Sequence, residues 1–282
     1  MSHLTESTFE EFLPEFNNSE TIDLTNITFI DPYGMLGIIE IGEVTSKAGN
    51  LKTLLLPSDN EAIKYLERMD FLRYASQNYM IKPEVLKLSE RYRRRVHSDV
   101  LLEITKIERS DDIHFIVAKV KARADVILKR HLHYNQRAIN GFIVALAEVC
   151  QNIVEHSNSK GYVGIQKYHF QNLNKNVVKI AVSDTGIGFQ KSLSQRFNIR
   201  DDLEAIEKAL IHGASRYSDK GRGHGLAAVR RFVTEWNGKL SIRSGTARLS
   251  IIPEWSKGKS HEKNLTFFPG AQISIMLPEV RP

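Results

Sequence analysis

Apolar and polar positions along this chain follow two periods, and the changes between them divide it into strands and helices. Thr21 to Phe29, rich in Ile and Thr, predicts a strand. After the turn Asp31-Pro32-Tyr33-Gly34, the stretch Met35 to Lys47 has helical spacing. Leu51 to Leu56 predicts a short buried strand, and Asn60 to Met69 a second helix with Asp59 or Ser58 as its N-cap. Strands alternating with helices indicate a small α/β module over residues 1–76. Residues 77–99 read as a polar, basic connector, and a second unit fills 100–282. There Leu101 to Ile107 predicts a strand, Ile113 to Leu132 a mainly helical stretch, and Arg137 to His156 a helix. Tyr162 to Phe170 and Val177 to Val182 predict strands, the latter nearly all apolar and therefore central. Helices at Leu203 to His212 and Gly225 to Trp236 precede closing strands at Lys239 to Arg243, Ala247 to Ile252 and Gln272 to Leu277.

Composition narrows the class. Of 282 residues, 41% are hydrophobic and 26% charged, as in a soluble globular protein. The first nine residues are polar, unlike a signal peptide, and no apolar run approaches the ~20 residues that span a bilayer. A single cysteine, Cys150, excludes a disulfide framework or CxxC metal site. These features predict a cytoplasmic protein without a membrane anchor. Charge is unevenly spread: up to Met80 there are 13 acidic against 5 basic residues, net −8, leaving +14 for the remainder of a chain at +6. Such a step marks a domain boundary. It fits either two unrelated solvated surfaces or an acidic part that docks onto, or regulates, the basic part. Four arginines and a tyrosine in Glu90 to Arg95 could grip nucleic acid, but such runs more often solvate a helix face or clamp an acidic neighbour.

The candidate chemistry lies in three motifs in fixed order. The first is Ala147 to His156, where Glu148, Asn152 and His156 fall on one helix face beside an apolar stripe. Asn152 offers a neutral oxygen suited to a magnesium ion whose other ligands are phosphates and waters. Glu148 could orient or deprotonate an attacking water or hydroxyl. The second is Asp184-Thr185-Gly186-Ile187-Gly188-Phe189. A carboxylate at a strand end can accept a hydrogen bond from the amino group of adenine, and Gly186 and Gly188 let backbone approach the base without a Cβ. The third is Gly221-Arg222-Gly223-His224-Gly225-Leu226, a helix start whose free N–H groups bind phosphate. Ser215, Arg216, Lys220 and Arg222 lie in the preceding loop as a lid. Alone, each motif is also an ordinary amphipathic helix or glycine turn; together they point to ATP and Mg2+.

The three motifs resemble those of the GHKL ATPase superfamily (gyrase, heat-shock chaperone, histidine kinase, MutL). Glu148 and Asn152 match its N-box, Asp184, Gly186 and Gly188 its first glycine box, and Gly221, Gly223 and Gly225 its second. The resemblance covers about residues 100–278 and implies a Bergerat-type α/β sandwich with a mixed sheet layered on helices, ATP between helices, and a mobile lid. Ala271 stands where many members place a threonine that supports the aspartate. The first part resembles a STAS domain, the anti-sigma-factor-antagonist fold, over roughly 8–76. Asp23-Leu24, Phe29 to Leu36 and Tyr65 to Leu72 carry that resemblance. Pro32 and Tyr33 replace the two serines usual before the glycine, which implies a docking version without a serine switch.

His131 and His133 lack the setting of a phosphoacceptor histidine, and no transducer segment follows the motifs before Pro282. The resemblance then implies an anti-sigma-type, partner-switching regulator acting as a Ser/Thr protein kinase or slow ATPase. The alternatives are a non-catalytic nucleotide-gated interaction module and, ranked third, a nucleic-acid-associated ATPase. The implied partner is a STAS-type or other regulatory protein. A homodimer is common among relatives, but no residue demonstrates it.

Overall fold

A computed structural model describes residues 2–83, 99–215 and 225–280, with the side chain of Asp125 left out. The expectations at Glu90 to Arg95, Arg216, Lys220, Gly221, Arg222 and Gly223 lie outside the described residues.

The first part runs β1 (Ser2–Leu4), α1 (Phe9–Asn18), β2 (Thr21–Asp23), β3 (Ile27–Ile30), α2 (Pro32–Lys47), β4 (Lys52–Leu55), α3 (Asn60–Arg68), α4 (Phe71–Ala75) and β5 (Tyr79–Lys82). The expected strand Thr21 to Phe29 is two strands in different sheets: β2 joins a parallel sheet ordered β2-β4-β5, and β3 pairs with β1. The turn Asp31 to Gly34 is already helix. Asp31 accepts the Gly34 N–H at 3.0 Å as N-cap, and Pro32 takes the first helical position, where a missing N–H costs nothing. Tyr79–Lys82, expected in the connector, is a strand hydrogen-bonded to β4. Its alternation of buried Tyr79 with exposed Met80 is too short to stand out between polar flanks.

The second part runs β6 (Val100–Ile107), α5 (Ser110–Ala124), α6 (Gln136–Asn152), β7 (Gly161–Phe170), β8 (Lys175–Asp184), α7 (Gly188–Leu193), α8 (Asp202–His212), α9 (Gly225–Glu235), β9 (Lys239–Gly245), β10 (Ala247–Ile251), β11 (His261–Glu262) and β12 (Phe268–Pro278). π-helical turns extend α5 over Asp125–His131 and α6 over Ile153–Ser157. Among the described residues, seven strands form one sheet in the order β11-β10-β9-β12-β8-β7-β6. Every neighbouring pair is antiparallel, where a mixed sheet was expected. The reason is topological. β7–β8 and β9–β10 are joined consecutively, and β12 inserts between β8 and β9, so no parallel neighbours meet. The α/β sandwich itself stands.

Alternation along the strands gives this sheet two unlike faces. Val182, Ile180, Ile273, Ile275, Leu240 and Ile242 enter the larger hydrophobic core under α5, α6, α8 and α9. The opposite face carries Lys179, Ser183, Lys239, Ser241, Arg243, Arg248, Gln272 and Ser274. On pattern alone that is a solvated face, yet all eight are buried. The first part lies across it. α2 packs on β7, β8 and β12, and Pro32 to Glu43 is buried all round, as befits a helix sandwiched between layers. A second core joins Leu4, Phe9, Ile38 and Leu66 to Ile104, Tyr162, Ala181 and Phe268 of the large sheet.

Ion pairs cross the same surface: Asp31–Lys179 at 2.9 Å, Glu6–Lys239 and Glu10–Arg243 at 2.6 Å, and Glu43–Lys160 at 2.6 Å. Lys239, Arg248 and Ser241 hold the Glu6 carboxyl below the usual carboxylate range against a desolvation that pushes it up. Buried pairs of this kind cost desolvation and so contribute orientation more than net stability.

Gln136–Ser157 is long and apolar enough to cross a bilayer by length and composition, contrary to expectation. Half of it is buried inside the fold, and its polar line borders the site described next, so it serves here as the central core helix.

Candidate functional site

One cavity of about 340 Å³ opens between α6, the end of β8, α7 and the start of α9. The apolar stripe of α6 (Phe142, Leu146, Val149, Cys150) faces the core and holds the helix in place, so Glu148, Asn152 and His156 are carried to the cavity wall. Asp184, the last residue of β8, supplies the carboxyl at another wall, and Gly188, Ser215, Gly225 and Leu226 line the remainder. Of the expected site residues within the described chain, only Gly186 does not line it.

Asp184 is buried. Its Oδ1 accepts the Gly186 N–H at 2.8 Å, and Ala271, its cross-strand partner on β12, donates a second backbone bond. Desolvation outweighs both and raises its pKa to about 7. A carboxyl so poised gains from any donor arriving in the cavity. Glu148 is also raised, first by burial and then by the charge of Glu155, which suits a group that must take a proton. Asn152 Nδ2 is buried and, among the described residues, has no hydrogen-bond partner. An open buried amide is costly unless something binds there. No group of three or more His, Cys, Asp or Glu side chains able to hold a metal occurs among the described residues. The open Nδ2 is a donor and suits a phosphate oxygen, while a cation here would be held by Asn152 Oδ1 with phosphate and water oxygens.

The glycines serve different ends. A Cβ on Gly225 would lie 2.4 Å from Glu148 Oε2, so a side chain there would push the end of the glutamate aside. Gly188 has φ +69°, and a Cβ there would meet Ser244 Oγ at 2.8 Å. Gly186, expected to let backbone approach the base, does not line the cavity. Its Cβ position is 2.1 Å from the Ser157 carbonyl oxygen, so it is small because the glycine turn packs against the end of the α6 helix. The Ile187 N–H donates to that carbonyl at 2.9 Å, locking the two motifs together. Ser244 does the same from β9, its hydroxyl accepting from Phe189 N–H and donating to Gly270 O at 2.7 Å.

His156 sits in the π-helical turn that ends α6, 3.9 Å from Glu155. Sequence reasoning missed Phe189, Ser192, Leu193 and Ala214 as wall residues. Phe189 directly follows the second glycine and was legible as a neighbour; the others reach the cavity only through the packing of α7 and α8.

Residues 139–279, half of the 282, match the family described as histidine kinase-, DNA gyrase B- and HSP90-like ATPase. No curated protein matches the chain.

Proposed function

The chain belongs to the histidine kinase-, DNA gyrase B- and HSP90-like ATPase family, and on that premise we propose that it is an ATP-binding regulatory protein of the partner-switching type. The observation that carries ATP binding is a single cavity holding a buried Asp184 carboxyl, the open amide of Asn152 and the raised carboxyl of Glu148. In this reading Asp184 accepts from the adenine amino group, and Asn152 holds Mg2+ together with the phosphates. ATP, when bound, supplies a transferable phosphoryl group. Glu148 takes the proton of the attacking oxygen, from water in a slow ATPase or from a Ser or Thr hydroxyl in a kinase. The partner is a regulatory protein of STAS or other type, the setting cytoplasmic, and the first part a STAS-like docking module.

A second reading has its own support. Because α2 lies on the reverse face of the strand that ends in Asp184, nucleotide could instead set how the two parts sit, without turnover. Calorimetric titration of Mg-ATP, Mg-GTP and magnesium-free ATP, with phosphate release followed alongside, tests both. Magnesium-dependent ATP binding weakened by Asp184→Asn supports the site, and release or transfer to Ser/Thr then separates enzyme from gate. No binding by the wild-type protein would refute the proposal.

A further inference from the structure

Glu43, on α2, is 2% exposed. Its Oε1 lies 2.6 Å from Lys160 Nζ and also accepts the Tyr162 O–H. Those two partners flank Gly161, the first residue of β7, and Gly161 is the cross-strand partner of Asp184 at the end of β8. A carboxylate of the first part therefore grips the sheet at the register position that faces the adenine-reading residue.

The chain around Lys160 has little slack with which to absorb a displacement. The turn from α6 into β7 is wound about the Ser157 hydroxyl. That hydroxyl lies 2.7 Å from Ile153 O and 2.8 Å from Ser159 O, sharing its proton between them, and accepts the Ser159 N–H at 2.9 Å. The Ser157 carbonyl takes the Ile187 N–H, and Gly186 N–H donates to Asp184 Oδ1 at 2.8 Å. On the strand side, a Cβ on Gly161 would meet the Ser183 carbonyl oxygen at 2.4 Å, so the start of β7 and the end of β8 are in close contact. Packing this tight transmits a shift instead of absorbing it. Both routes from Lys160, through the strand pairing and through the turn, end at Asp184.

Resting on the ATP reading, we propose that Glu43 is a positioning residue of the nucleotide site: by holding Lys160 and Tyr162 it fixes the start of β7, and with it the aim of the Asp184 carboxyl. Docking of the first part then sets the affinity of the site for ATP, and by linkage bound ATP tightens the docking by the same factor. Asp31–Lys179 is the comparison pair. It joins the N-cap of α2 to β8 at 2.9 Å and is also buried, but Lys179 stands five residues before Asp184, opposite Gln166 and Met276. It holds the same two parts together away from the site.

Glu43→Met removes the grip, and Lys160→Met removes it from the sheet side. With Mg-ATP titrated calorimetrically, each is expected to raise Kd about tenfold, the size of coupling that packed neighbours carry. The double variant should add little to either, because both act through one contact. Amide hydrogen exchange over residues 184–189 of the nucleotide-free protein should quicken about tenfold in both. Lys179→Met breaks the comparison pair; it should lower the melting temperature, yet leave Kd and this exchange within about twofold of wild type. Unchanged Kd or unchanged exchange in Glu43→Met, or an equal change in Lys179→Met, overturns the proposal. Should Glu43→Met not fold, Lys160→Met, whose side chain is 24% exposed, decides by the same criterion. Wild-type protein that fails to bind ATP removes the ATP reading as well; unaltered variants of a binding protein remove only this one.

Discussion

Asp184 turns nucleotide binding into a proton-linked event. In the nucleotide-free protein its carboxyl titrates at about 7 because burial outweighs two backbone hydrogen bonds. An adenine amino group is a donor and needs the ionised form. About a tenth of molecules carry that form at pH 6 and about nine tenths at pH 8, so Mg-ATP affinity should rise about tenfold over this interval, or ~1.4 kcal/mol. At pH 6 each binding event should release close to one proton, and at pH 8 almost none. Calorimetry in two buffers of different ionisation enthalpy counts those protons directly. Asp184→Asn cannot titrate, so it should bind more weakly and lose the slope. Whatever slope remains in the variant belongs to the nucleotide. An affinity flat from pH 6 to 8 in the wild type, or the same slope in Asp184→Asn, would refute the reasoning. The same shift has a stability sign: the folded protein keeps a proton that the unfolded chain has lost. Its contribution to nucleotide-free stability therefore falls as pH rises from about 4 to about 7.

Glu148→Gln should leave Mg-ATP binding nearly intact and, if the protein turns ATP over, reduce phosphate release by about a hundredfold or more; undiminished release would take Glu148 out of the chemistry. Gly270→Ala places a Cβ 1.9 Å from the Asp184 carbonyl oxygen at φ +74° and should cost about 1–3 kcal/mol or more by chemical denaturation; a neutral change would mean the strand shifts freely there. Lys179→Met strands the Asp31 carboxyl, 1% exposed, and is expected to cost about 3–5 kcal/mol. Asp31→Asn/Lys179→Met should recover part of that loss, and no recovery would argue against the pair.

Much of the architecture was legible from local pattern. The long strands of the second part and its helices α6, α8 and α9 carry complete periods, and their ends in the structure fall within a few residues of expectation. The line Glu148, Asn152, His156 was legible because α6 is regular up to Asn152, so sequence spacing converts directly into a shared face. The first part was less so. Its strands span three or four residues, too short to show a period, and Tyr79–Lys82 was hidden inside a polar stretch.

Sequence alone thus determined the elements of the second part, the three motifs and their order, and the split of charge between the two parts, since all of these are set by neighbours along the chain. Tertiary structure alone decided that Gly186 is a packing contact with Ser157, that the sheet is antiparallel throughout, and that its polar face is covered. It alone brought Glu6 to Lys239, 233 positions away in sequence. A polar strand face reads the same whether water or a row of carboxylates lies against it. Hydrogen-bonding groups ask only for partners, and which partners arrive depends on how distant layers stack.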